Sequence, residues 1–412
     1  MSIALRSQLG RRADYTHTHN LKSGRHGWLR LTPAYSVKVV EDLLQPHTRP
    51  LRVYDPFCGT GTTALSASCH GHSATTTDIN PFLVWLAKAK TARYSKASLL
   101  RTRAVAGLVA AMLRTEELGF SAPPPIHNID RWWSRKTVAY LCSLRSAIEG
   151  ACERETSEQT LLLVAFCRTL MRVSNAAFNH QSMSFKAPVE TPDVGYAELN
   201  AMFLDDVAFV VTAAEDEPAG TASVILGDAR EAATVVNGPF DLVITSPPYA
   251  NRMSYIRELR PYMYWLGYLQ NGRDAGELDW TAIGGTWGIA TSRLTTWEKE
   301  ATSYDDPVLQ EAVERIALSG NANGPLLGRY VAKYHDDIWR HLQSLTAVLA
   351  PGAKVNYIVG NSTFYGVLVS VEKYYAEMLR RLGFADVRCV PLRKRNSKKE
   401  LIEFNVAGTW VS

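Results

Sequence analysis

The run Asp55-Pro56-Phe57-Cys58-Gly59-Thr60-Gly61 follows a short apolar stretch and places two glycines where a strand would turn into a helix. Glycine lets the backbone pass close to a ligand where a side chain would collide, and a helix start offers free N–H groups. The turn lacks the third glycine of a dinucleotide fingerprint and no GxxxxGK loop follows, which demotes NAD and ATP as ligands. Asp78 comes 23 residues after Asp55, again at the end of a strand-like run. A carboxylate there can accept both hydroxyls of a ribose, and a helix cap before Asn80-Pro81 is the competing structural reading. The second constellation, Ser246-Pro247-Pro248-Tyr249, directly follows the apolar run Leu242-Val243-Ile244. Successive prolines remove two backbone donors and stiffen a loop. The carboxyl edge of an open α/β sheet is where such a loop would meet a ligand. Ser246 and the carbonyls around the prolines can accept hydrogen bonds from an exocyclic amine, and Tyr249 offers a flat face to a base. A turn with a packed tyrosine is the structural alternative.

These residues act only if strands and turns aim them. The hydrophobic pattern predicts strands at residues 51–54, 73–77, 222–226, 240–245 and 354–359, and helices at 64–69, 330–349 and 369–382. Pro351-Gly352 reads as the stop of the helix at 330–349, and Gly383 as the terminator of the next. The tail, 386–393 and 401–410, reads as two strands joined by a basic turn. From about residue 82 to 217 the period is helical, clearest at 137–149 and 160–173, so an all-helical insertion is expected. Strand–helix–strand units with this punctuation predict an α/β, doubly wound, mostly parallel sheet.

Composition narrows the class further. The 412 residues are 46% hydrophobic, 21% charged and 10% aromatic, close to the globular average, which makes disorder, collagen and coiled coil poor readings. No run of about 18 uncharged apolar residues occurs, so no membrane span is expected. The first twenty residues lack an apolar core of signal-peptide length. Cys58, Cys69, Cys142, Cys152, Cys167 and Cys389 form no CxxC pair and read as thiols of a reducing compartment, with no metal site. A cytoplasmic enzyme is expected. The net charge is +5, and residues 1–50 alone, with eight basic and three acidic residues, carry a surplus of that size. A second basic cluster is Arg393-Lys394-Arg395 with Lys398 and Lys399. Two compact basic segments on a balanced body suit a polyanionic partner, with solvated surface charge as the competing reading.

With both constellations in hand, the sequence resembles a known family. The Asp-Pro-Phe-Cys-Gly-Thr-Gly and Ser-Pro-Pro-Tyr runs look like motifs I and IV of S-adenosylmethionine-dependent amino-methylating DNA methyltransferases. Asp78-Ile79-Asn80-Pro81 resembles the ribose-binding acidic motif, and Gly227-Asp228-Ala229 the segment that meets the cofactor's adenine. His26-Gly27 and Thr32-Pro33-Ala34-Tyr35-Ser36 look like the N-terminal motif that closes over the methionine end, although related enzymes often carry Lys where Tyr35 stands. Val359-Gly360-Asn361-Ser362 resembles the segment flanking the target-base pocket. The resemblance implies a Rossmann-like class I methyltransferase sheet, mostly parallel with its last strand antiparallel, carrying a helical insertion. It implies S-adenosyl-L-methionine held by Thr32, Pro33, Asp55, Pro56, Phe57, Cys58, Gly59, Gly61, Thr62, Asp78, Ile79, Asn80, Asp228 and Ala229. It further implies a catalytic segment at 51–81 and 218–412, an insertion at 82–217, a basic N-terminal segment at 1–50 and a candidate target-recognition region at 250–328.

The implied substrate is double-stranded DNA, and the implied product is N4-methylcytosine. An amine conjugated with a base ring is a poor nucleophile. Acceptors at Ser246 and the Pro247 carbonyl would hold its two protons, favour a tetrahedral nitrogen and aim its lone pair at the sulfonium methyl. The target base must leave the helix, stacking on Tyr249. Ring-carbon cytosine methylases use a Pro-Cys pair, and no cysteine lies near Ser246. Serine at the first position of the tetrapeptide is typical of the N4-cytosine enzymes, while Asp or Asn is commoner among the N6-adenine enzymes. Arg252 and Arg257, beside the loop and among aromatics, are expected to contact DNA, as are Arg393, Lys394 and Arg395; a helical apolar stripe over 255–269 equally makes those aromatics core. A restriction endonuclease acting separately is the implied partner. The alternatives are an N6-adenine enzyme, a tRNA guanine-N2 methyltransferase, against which Ser246 in place of Asp counts, and a non-catalytic DNA-binding subunit, which would have lost residues that are all present here.

Overall fold

A computed structural model describes residues 12–31, 35–113, 122–177, 184–186, 194–395 and 401–412. Seven strands form its main sheet: β1 (Arg52–Asp55), β2 (Ser73–Asp78), β3 (Thr221–Leu226), β4 (Phe240–Thr245), β5 (Leu349–Gly360), β6 (Ala385–Lys394) and β7 (Ile402–Thr409). Their spatial order is β6-β7-β5-β4-β1-β2-β3. Strand β1 pairs in parallel with β2 and β4, β2 with β3, and β4 with β5, whereas β7 runs antiparallel to both β5 and β6. This is the Rossmann-like, doubly wound, mostly parallel α/β sheet with its last strand antiparallel expected from the sequence. Val53, Tyr54, Leu242, Val243 and Ile244 are essentially fully buried, as strands covered on both faces must be. The chain winds from β1 out to β3 and then returns to β4 on the other side of β1. That reversal opens a crevice at the carboxyl ends of β1 and β4, where the glycine turn and the Ser246 loop emerge.

Local chemistry explains the crevice walls. Helix α1 (Thr62–Cys69) starts at Gly61, whose φ is +77°; a Cβ there would lie 3.0 Å from the Cβ of Ala87 on α2 (Pro81–Thr91). Only glycine fits that conformation at that distance. Asn80 caps α2 by accepting the Phe82 N–H, and Pro81 takes the first turn, where its missing donor costs nothing.

The insertion departs from the all-helical expectation. Besides helices Lys96–Met112, Arg135–Ala151, Ser157–Arg172 and Tyr196–Ala214, it carries a two-residue ladder pairing Ala176–Ala177 with Ser184–Phe185. Helix α3 (Tyr255–Trp265) packs its Ile256, Leu259, Tyr262, Met263 and Trp265 into the same apolar cluster as the insertion. Tyr262, Tyr264 and Trp265 are therefore core residues, set on the inner face by the helical period. The long helix α4 (Gly324–Thr346) begins earlier and ends earlier than expected, and Pro351-Gly352 does not stop it. Both residues lie inside β5, in a register break where Phe240 faces Leu349 but Leu242 faces Lys354. Proline costs no ladder bond in such a bulge, and Gly352 supplies a φ of +79°. Gly383 follows the next helix, Val371–Arg381, with a φ of +93°, as a terminating glycine does.

Part of the N-terminal basic surplus is structural. Arg25 is buried, and its guanidinium donates to the carbonyls of Lys90, Ala92, Ala213 and Ala214. Arg12 pairs with Asp14, and Lys38 with Asp42. No helix among the described residues is long and apolar enough to cross a membrane.

Candidate active site

A cleft of about 390 Å³ opens at the carboxyl ends of the central strands, within the range of roughly 300–1,000 Å³ usual for ligand sites. Its walls bring together Pro56, Phe57 and Gly59 of the glycine turn, Asp78, Ile79 and Asn80, Asp228 and Ala229, and all of Ser246, Pro247, Pro248 and Tyr249. Asp55, Cys58, Gly61 and Thr62 lie buried behind this wall, shaping it without facing the cleft. Thr32 and Pro33 fall outside the described residues. Tyr15, Thr16, Thr18 and Tyr35 line the cleft from the N-terminal side.

The glycine turn is held by carboxylates. Asp55 accepts the Phe57 N–H at 3.0 Å and the Thr245 hydroxyl at 2.5 Å, which ties the glycine turn to the root of the Ser246 loop. Its Oδ2 is buried without a partner, and burial pushes the carboxyl up to about 6. Asp78 accepts the Gly59 N–H at 2.8 Å on one oxygen and the Asn80 N–H at 2.9 Å on the other. Burial pushes it up to about 7, against the pull of those backbone donors. Asn80 is the cap of α2, and Asp78 stands in the cleft wall beside it. From beneath, the buried Lys90 donates to the Thr60 carbonyl at 3.1 Å, a contact the sequence pattern gave no reason to expect.

The Gly227–Ala229 segment is fixed through α4. Burial alone would raise the Asp228 carboxyl, but its ion pair with Arg230, 2.6 Å long, more than offsets this and holds it below the usual range. Arg230 also binds Asp337 at 2.7 Å. His341 lies 2.9 Å from the Ala229 carbonyl and 2.7 Å from the Tyr357 hydroxyl, and burial lowers it to about 4, so the ring is neutral.

In the Ser246 loop several polar groups have defined partners. Ser246 Oγ lies 3.1 Å from the Ile358 carbonyl. A carbonyl can only accept, so the hydroxyl gives its proton there, and the Tyr249 side chain is a second hydrogen-bond neighbour of Ser246. The Pro248 carbonyl accepts the Tyr334 hydroxyl at 2.8 Å. The Tyr249 N–H donates to the Tyr255 hydroxyl at 3.2 Å, and the Tyr249 hydroxyl donates to Glu403 at 2.8 Å. Burial, with the Glu403 charge beside it, keeps that phenol protonated.

The basic C-terminal residues have partners inside the protein. Arg393 binds Glu403 at 2.8 and 3.0 Å, and the Arg395 guanidinium lies 5.0 Å from the Tyr249 ring centroid while donating to the Asn361 carbonyl at 3.1 Å. Both line the cleft, Arg393 paired with a carboxylate and Arg395 packed on the ring. Lys394 is half-buried on β6, and Lys398 and Lys399 fall outside the described residues. Arg252 and Arg257 are exposed beside the loop. Glu403, which sequence reasoning passed over, had one signal: a carboxylate in the apolar run of β7. A charge in such a run needs a partner. Among the described residues, no group of His, Cys, Asp and Glu is placed to hold a metal ion.

No family model matches this chain. It is 21% identical over 402 residues to the Type II methyltransferase M.MvaI of Kocuria varians, across 89% of this chain and 84% of that protein. It is also 21% identical over 451 residues to the Type II methyltransferase M.BsoBI of Geobacillus stearothermophilus, across 93% of this chain and 83% of that one. The rRNA methyltransferase aviRa from Streptomyces viridochromogenes aligns over 92% of this chain and 86% of its own, at 13% identity and a TM-score of 0.29, too slight a likeness to bear on fold or substrate.

Proposed function

We propose that this protein is an S-adenosylmethionine-dependent DNA methyltransferase that methylates the exocyclic N4 amine of cytosine in duplex DNA, as the modification partner of a separate restriction endonuclease. Its similarity to two type II methyltransferases along most of its length supports methyl transfer. The observation that carries the chemistry is the hydrogen-bond state of Ser246, a neutral side chain turned into a pure acceptor by the Ile358 carbonyl. An amine whose protons are held by Ser246 and the Pro247 carbonyl loses conjugation with its ring and presents a lone pair. S-adenosylmethionine supplies an electrophilic methyl on a sulfonium centre. The residues fit that group: Asp78 retains lone pairs for two ribose hydroxyls, and Asp228 and Ala229 form a wall for the adenine. The target amine is out of reach inside a duplex, so the base is extruded into the cleft, with Arg252 and Arg257 on the DNA backbone.

The reading has a pH signature. The Asp78 carboxylate accepts ribose hydroxyls only when deprotonated, and in the free protein it holds its proton up to about pH 7. Cofactor affinity should therefore rise with pH by up to about tenfold per unit until about 7 and then level off. Calorimetry between pH 5.5 and 8.5 reads this directly; a flat profile removes Asp78 from the ribose.

The decisive experiment for the base is digestion of methylated duplex DNA to nucleosides, followed by mass spectrometry. N4-methylcytosine is expected. N6-methyladenine would move the assignment to the other base while keeping the mechanism, whereas 5-methylcytosine or unmodified DNA would overturn it.

A further inference from the structure

Glu403 is 4% exposed in a strand that is otherwise mostly apolar. A carboxylate persists there only if its lone pairs are satisfied. Arg393 stands directly across the ladder on β6 and gives it two hydrogen bonds, and the Tyr249 hydroxyl gives a third. The partners are 154 and 10 residues away in sequence, and all three side chains line the cleft that holds Ser246. Arg395 covers the Tyr249 ring, and a Cβ at Gly360 would lie 3.1 Å from that ring's carbons. The tyrosine is thus held at its far end as well as along its side.

We propose that Glu403, clamped by Arg393, is a positioning residue that fixes the far end of the Tyr249 ring, and with it the place of the base that packs against the ring. This rests on the methyltransferase reading above. The hydroxyl lies on the axis of the ring, so its bond fixes where the far end of the ring sits, while Arg395 over the ring and the Gly360 backbone beside its carbons resist rotation about that axis. Transfer between an amine lone pair and a methyl group depends steeply on alignment, so a loosened ring slows turnover while leaving the cofactor half of the cleft untouched. Arg393 on this account neutralises and orients Glu403. A cluster that only stabilised the sheet edge would behave differently: loss of its bonds would lower the melting temperature and leave the turnover of the folded protein alone.

The test uses the full chain with S-adenosylmethionine and unmethylated plasmid DNA, comparing wild type with Tyr249→Phe, Glu403→Ala, Glu403→Gln and the Tyr249→Phe/Glu403→Ala double variant. Tyr249→Phe keeps the ring and its packing, so it is the variant least exposed to misfolding, and melting temperatures are recorded for all. Tyr249→Phe and Glu403→Ala should each lower kcat about tenfold or more, with cofactor affinity within about twofold of wild type. Glu403→Gln, which keeps an acceptor for the hydroxyl, should recover part of the loss. The double variant should be no slower than the slower single, because both changes break one link. Wild-type kcat in Tyr249→Phe, or losses that multiply in the double variant, would overturn the assignment of Glu403. A wild-type protein that methylates no DNA would instead overturn the functional reading, and this inference with it.

Discussion

Replacing Ser246 by alanine should lower the rate of methyl transfer by about 10²-fold while leaving S-adenosylmethionine affinity within about twofold. The size follows from the kind of group removed. A preorganised partner aimed at charge that develops in the transition state contributes about 10²–10³ in rate, or roughly 3–4 kcal/mol. As the target nitrogen becomes tetrahedral, its protons grow more acidic and the bond to Ser246 strengthens, so the loss falls on kcat more than on KM. The hydroxyl's proton is already committed to Ile358, so nothing in the site has to rearrange to accept from the amine. Alanine leaves the two prolines and the Tyr334 bond to Pro248 in place, and the loop keeps its shape. Tyr249→Ala removes a different contribution, the stacking face, which is worth roughly 1–3 kcal/mol per base. Single-turnover rates beside calorimetric cofactor affinities separate the two. Ser246→Ala turning over at the wild-type rate would show that the amine is held elsewhere.

What the sequence disclosed and what it withheld follow from range. The glycine turn and the Ser246 loop are local: each is a strand end, a few stiff or permissive residues and a helix or loop start, so spacing alone predicts both. The sheet that brings them together was legible for the same reason, since buried parallel strands read as apolar runs. The contacts that tune the site are not local. Glu403 meets Tyr249 across 154 residues, and Arg393 reads from sequence as one more cation in a basic run until the β6–β7 register sets it opposite Glu403. Charge counting cannot distinguish an arginine that binds phosphate from one spent on a buried carboxylate or, like Arg25, on four backbone carbonyls. Pro351-Gly352 misleads in the opposite direction. It is strong local punctuation, but the β4–β5 pairing absorbs it as a bulge.

Asp78→Ala should weaken S-adenosylmethionine binding by about one to two orders of magnitude, since a charge-assisted hydrogen bond is worth roughly 1.5–3 kcal/mol. The variant separates a binding role from a structural one because the two predict opposite pH behaviour. In the free folded protein burial holds the Asp78 proton up to about pH 7, whereas in the unfolded chain it leaves near 3.8. A carboxyl raised on folding contributes stability at low pH and loses it as the pH climbs from about 4 to 7. Asp78 should therefore lower the melting temperature of the wild-type protein without cofactor at pH 8 relative to pH 5, and this component should vanish in the alanine variant. Against that gain stand the two backbone N–H groups, of Gly59 and Asn80, that lose their acceptor. At pH 8 the two effects oppose each other, so the melting temperature should move by no more than a few degrees while the affinity collapses. The pH dependence of binding, rising toward 7 in the wild type, should flatten at the same time. A folded Asp78→Ala protein that binds the cofactor as tightly as wild type would show that the carboxylate serves the glycine turn and not the ribose.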